Sequence, residues 1–104
     1  MGTLVYGSPR LAVDFDDRTL VHLQVVFAAK LRRGESFFCS WGDGAMAGGG
    51  RSSIWVSPAV PIMFHFDSTD PHQISRDWLD TLMESANQPQ GLALTAEAFG
   101  PGGE

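Results

Sequence analysis

Three carboxylates stand almost side by side at Asp14, Asp16 and Asp17. A cluster of this kind can hold a divalent cation or divide acid and base roles between two groups. The spacing matches no calcium-loop pattern, and a simpler role fits each residue. Asp14 points outward on a strand, while Asp16 and Asp17 fall where a helix N-terminus favours negative charge. Lys30, Arg32 and Arg33 have the mirror-image place at the C-terminal end of the same helix. With Arg51 they are the residues able to grip a phosphate. The run Gly48-Gly49-Gly50-Arg51-Ser52-Ser53 adds backbone N–H groups and two hydroxyls. It leads into a strand rather than a helix and lacks the lysine and spacing of a P-loop, so a flexible hairpin loop is expected there.

His22, His65 and His72 fall on a helix, a strand and a loop, with no HxH, HxxxH or HExxH spacing, so no zinc site is assigned. Cys39 points toward the core by strand alternation, where a thiol acts as a small hydrophobe. Neither a G-x-S-x-G elbow nor a dinucleotide fingerprint occurs. The reading therefore assigns no catalytic residue, no metal ligand and no cofactor.

The 104 residues suit one domain with one core. Apolar residues make up 43% and charged residues 18%, with seven Phe and three Trp, which is enough apolar material to offset chain ordering. A formal charge of −5 repels phosphate backbones, so general nucleic-acid binding is disfavoured. No apolar run approaches the length of a bilayer span, and no signal-like N-terminal segment is read. The single cysteine cannot form an internal disulfide, which agrees with a reducing, cytoplasmic setting.

Leu4–Tyr6 and Leu11–Phe15 flank Gly7-Ser8-Pro9-Arg10 and read as a β-hairpin. From Asp16 the period changes: Leu20, Leu23, Phe27 and Leu31 recur at helical spacing, closed by Gly34. Ser36–Trp41, Arg51–Ser57 and Val60–Asp67 read as strands of an antiparallel meander, with a mobile glycine-rich loop over residues 42–50. Ser75 caps a second helix running to Ala86. Leu92–Thr95 is a candidate edge strand, and residues 98–104 read as a flexible Gly/Pro tail.

Alternation sends Phe37, Cys39, Trp41, Ile54, Val56, Ile62, Phe64 and Phe66 to one face of the meander. The other face is mostly serine but carries Phe38, Trp55, Met63 and His65. Aromatic and Met side chains among serines are the composition of a contact surface, and a homodimer is the simplest partner.

The segments Met1-Gly2-Thr3-Leu4-Val5-Tyr6-Gly7, Val13-Asp14-Phe15-Asp16-Asp17-Arg18, Leu23-Gln24-Val25-Val26, Lys30-Leu31-Arg32-Arg33-Gly34-Glu35-Ser36-Phe37 and Ile54-Trp55-Val56 carry a resemblance over nearly the whole chain. The chain resembles a family of roughly hundred-residue actinobacterial proteins of unknown function, many of which bear the label "ATP-dependent DNA ligase". A ligase of that kind needs a Lys-x-Asp-Gly nucleophile. The only lysine here is Lys30, in Lys30-Leu31-Arg32-Arg33-Gly34, without the aspartate. The resemblance thus implies at most a nucleotide- or DNA-binding accessory without ligase catalysis.

The expectation is a single α+β domain over residues 1–97, ordered ββαβββα with a final edge strand, its two helices on one face of an antiparallel sheet. Its expected role is a non-enzymatic interaction module. It would bind a second copy or another protein through Phe38, Trp55, Met63 and His65. The alternative is phosphate binding by Lys30, Arg32, Arg33 and Arg51.

Overall fold

In the computed structural model, residues 2–7, 10–42, 50–69 and 71–95 are described. The order is β1 (Gly2–Tyr6), β2 (Leu11–Phe15), α1 (Asp17–Arg32), β3 (Phe37–Gly42), β4 (Arg51–Val56), β5 (Ile62–Phe66), α2 (Arg76–Ala86) and β6 (Leu92–Ala93). This is the expected α+β order with its final short strand. Ser8 and Pro9 of the first turn, most of the glycine-rich loop and the tail at 98–104 lie outside the described residues. The strands form two three-stranded sheets, and the chain divides into two compact units whose segments alternate along the sequence.

The first unit draws on residues 1–36 and 57–74. Its antiparallel sheet has the order β2-β1-β5. Register places Leu4 between Val13 and Phe64, and Tyr6 between Leu11 and Ile62. The helix α1 lies against β1 and β5, burying Leu20, Leu23, Val26 and Phe27. Phe27 meets Phe64 edge to face, with ring centres 5.6 Å apart. Asp16 caps the helix, accepting from the Thr19 amide at 3.2 Å and its hydroxyl at 2.7 Å. At the other end Gly34, at φ +74°, lets the Gly34 amide reach Leu31 O at 2.9 Å and the Glu35 amide reach Lys30 O at 3.1 Å. That pair of bonds is a Schellman closure, and it needs a left-handed residue.

The second unit draws on residues 37–56 and 75–104. Its sheet has the order β4-β3-β6, with β3 and β4 antiparallel and β6 parallel to β3. The helix α2 lies against β6 and β3 and buries Trp78, Leu82 and Ala86, one residue per turn. Ser75 caps it by accepting from the Trp78 amide at 3.3 Å. Trp78 Nε1 donates to Thr95 O at 3.1 Å, and the Ala93 amide donates to Ser85 Oγ at 3.1 Å, tying the segment after the helix back onto it.

One expectation needs correction. The third strand of the anticipated meander, β5, does not pair with β4; it pairs with β1. The connection Ser57–Pro61 is longer than the tight turn the meander needed and contains Pro58 and Pro61, neither of which can donate to a ladder. It folds as a turn, with the Val60 amide on Ser57 O at 3.1 Å and the Ala59 amide on Ser57 Oγ at 3.2 Å. The Gly7 amide then takes Pro61 O at 3.0 Å, extending the β1 ladder. In this register Phe64 reaches Phe27.

Candidate functional site

With α1 against β1 and β5 and α2 against β6 and β3, the exposed strand side chains fall on the opposite face of each sheet. On the β4-β3-β6 sheet, Phe38 is directly opposite Trp55 and Ser40 is directly opposite Ser53. Phe38 is 45% exposed and Trp55 50%. Their rings meet edge to face at 5.0 Å with an interplanar angle of 66°. Two residues along the strands, Ser40 Oγ and Ser53 Oγ share a hydrogen bond of 2.6 Å. Ala93 is beside Ser40 on β6, and Arg51 is opposite Gly42 at the end of the hairpin. Among the described strand residues on this face, Arg51 carries the only charge.

The backbone beneath the aromatic pair is fixed by Gly91. A Cβ there would stand 2.5 Å from Phe38 O and 2.9 Å from Phe38 Cβ, and its φ is +89°. Only glycine allows the chain to pass so close to β3. On the opposite face Cys39 is buried, and burial pushes its thiol up to about 12. At neutral pH it stays protonated, so it supplies packing and no nucleophile. A disulfide-exchange reagent should therefore label Cys39 much more slowly in the folded chain than in denaturant. Fast labelling of folded protein, read by absorbance, would contradict the buried placement.

Met63 and His65 belong to the other sheet. The four aromatic and Met/His residues anticipated on one sheet face are thus divided, because β5 joined β1. In the β2-β1-β5 sheet, Met63 is beside Val5, which is opposite Ala12, while His65 is beside Thr3, which is opposite Asp14. Met63 is 47% exposed. Thr3 Oγ1 donates to Asp14 Oδ1 at 2.9 Å, and His65 Nε2 lies 3.6 Å from Asp67 Oδ1 with both side chains exposed. The Thr3–Asp14 part of this polar row belongs to the first hairpin, and His65 joins it only through the β1–β5 pairing.

The three aspartates take separate tasks. Asp14 holds Thr3, Asp16 caps α1, and Asp17 is buried with Oδ2 accepting from the Ser68 amide at 3.1 Å. Among the described residues no group of His, Cys, Asp or Glu is arranged to hold a metal ion. His22 is also buried, and its Nδ1 donates to Arg18 O at 2.8 Å.

The phosphate-gripping residues belong to different units, Lys30, Arg32 and Arg33 to the first and Arg51 to the second. Lys30 is only 6% exposed, and its Nζ lies 2.8 Å from Glu35 Oε1. That hydrogen bond, with the charges of Lys30 and Arg33, holds the Glu35 carboxyl below its ordinary range. Arg32 and Arg33 are exposed at the helix end, while Arg51 belongs to the other sheet. Gly48 and Gly49 of the proposed cradle lie outside the described residues. Lys30 could have been placed from sequence: it follows Phe27 by three and Val26 by four, on the apolar stripe where a lysine stem buries.

The family described as "Domain of unknown function (DUF7882)" matches residues 1–97. No curated protein and no solved structure matches the chain.

Proposed function

We propose that this chain, which belongs to the DUF7882 family, is an interaction module that acts by binding a protein surface rather than by catalysis. The observation carrying the reading is the exposed Phe38–Trp55 pair on the sheet face opposite α2. Two half-exposed aromatic side chains leave about 200 Å² of ring surface in water. Burying it is worth about 5 kcal/mol before the cost of association. Aromatic anchors flanked by small polar residues are what a docking surface presents. The serines Ser40 and Ser53 supply hydrogen-bonding groups without charge. Met63 and His65 form a separate exposed face on the other sheet and are not anchors of this reading.

Phosphate binding is the weaker reading, because Lys30 is engaged by Glu35, and Arg32 and Arg33 are at the end of α1 while Arg51 belongs to β4. No helix among the described residues is long and apolar enough to cross a membrane. A cytoplasmic location fits a chain whose single cysteine is buried as a thiol. Residues 1–97 are read as one domain, supported by a family match that spans both units.

The test is the variant Phe38→Ser with Trp55→Ser. It should keep the circular dichroism spectrum of the parent and weaken partner binding at least roughly 30-fold, the loss expected of one buried aromatic anchor. Unchanged mass in solution together with unchanged partner capture would refute the reading. Binding of a nicked duplex that fades steeply with salt and survives the double variant would move the function to the arginines.

A further inference from the structure

The geometry points to a conformational device: Asp17 and Arg18, in the first turn of α1, clamp the connection between β5 and α2, residues 67–74, as a strap that opens and closes as one unit. The device does not depend on the Phe38–Trp55 face.

The clamp grips backbone. Asp17 Oδ2 accepts from the Ser68 amide at 3.1 Å, and Arg18 Nη1 donates to Gln73 O at 2.6 Å. Adjacent residues of one helix thus take opposite backbone groups, an N–H near the start of the connection and a carbonyl near its end, each with the charge suited to it. Gly2 makes room for the first grip. A Cβ there would stand 2.8 Å from Asp17 Oδ1, 2.6 Å from Leu20 Cδ2 and 2.7 Å from His65 O, so β1 needs a glycine where the first turn of α1 meets the end of β5.

What the clamp holds is weakly committed to the fold. Residues 68, 69 and 71–74 have neither helical nor strand structure, and Ser68, Thr69, Pro71, Gln73 and Ile74 are exposed. Such a segment buries little apolar surface, the mark of elements that open locally while the core stays closed. Closure also carries an opposing cost. His72 Nε2 is shut off from water with no hydrogen-bond partner, and opening returns it to solvent. An unsatisfied nitrogen between two grips narrows the gap between the closed and open forms. Opening uncovers the Asp17 carboxylate, which is buried when the strap is closed.

The experiment is native-state hydrogen exchange on the full chain, read amide by amide. In the unaltered protein, exchange of the Ser68 amide should be nearly insensitive to low urea, whereas the amides of Leu23 and Val26 in α1 should follow global unfolding. Arg18→Gln is the informative variant, because it loosens the strap at Gln73, five residues from the amide being read. It should speed Ser68 exchange at least roughly tenfold, the effect of losing one charged hydrogen bond, with Leu23 and Val26 unchanged at low urea. Gly2→Ala alters neither clamp residue and should speed the same amide by displacing Asp17. A Ser68 rate unmoved by Arg18→Gln would mean that the two grips act separately, and the single strap fails. Ser68 exchange that tracks Leu23 and Val26 across urea in the unaltered chain would overturn local opening, whether or not the variants fold.

Discussion

Gly91→Ala lowers the stability of the chain by about 3 kcal/mol, the sum of forcing a side chain into the left-handed region and overpacking against a neighbouring strand. The second contribution dominates the outcome here. The added Cβ meets the carbonyl oxygen, carbonyl carbon and Cβ of Phe38, so the obstruction includes backbone that cannot swing aside. Gly34→Ala is the informative comparison. Gly34 has a similar φ, +74°, but nothing within 4 Å of its would-be Cβ, so it should lose only about 1 kcal/mol. Urea unfolding of the two variants separates conformational cost from collision. Equal losses would mean that β3 does not pass as close to Gly91 as described. Because Phe38 anchors the proposed interface, Gly91→Ala should also disturb binding, unlike Gly34→Ala.

Phe27→Ala should cost roughly 3–5 kcal/mol, the usual range for emptying an aromatic site in a core. Phe27 is 1% exposed, and its ring is one half of the edge-to-face contact with Phe64 that joins α1 to β5. A small domain has about 5–15 kcal/mol in total, so the variant is expected to be partly unfolded at physiological temperature. Phe27→Leu retains much of the volume and should lose markedly less. A loss below about 1 kcal/mol for Phe27→Ala, measured by denaturant midpoint at unchanged slope, would contradict the placement of β5 beneath α1.

The contrast between these two sites shows what the sequence made legible. Everything local was readable. Asp16 as N-cap and Gly34 as terminator bracket α1, Ser75 opens α2, and alternation correctly separates buried Cys39 and Ile54 from exposed Phe38 and Trp55. Pairing was not readable in the same way. Alternation says which way a side chain points and leaves open which strand lies alongside. Ile62, Phe64 and Phe66 would have satisfied the pattern beside β4 as well as beside β1, and the five-residue connection with two prolines was the clue favouring β1. Asp17 and Lys30 stand in the first and last turns of α1 where their charges favour the helix ends, and their spacing to Leu20 and Phe27 also places both on the buried stripe.

The candidate site divides along the same line. Phe38 and Trp55 were found because adjacent strands of a hairpin share a local register, whereas Met63 and His65 were grouped with them only through the assumed meander. The Thr3–Asp14 bond follows from the register of the first hairpin, whereas the place of His65 beside Thr3 depends on the pairing of β1 with β5.

The most direct test of the central claim is a residue-by-residue map of amide chemical shifts as the chain goes from its free to its associated state. The account predicts that the largest changes cluster at Phe38, Ser40, Ser53, Trp55 and Ala93, with the amides of Met63, His65, Arg32 and Arg33 nearly unmoved. Changes concentrated instead on the Met63–His65 face or at the Arg32–Arg33 helix end would contradict it.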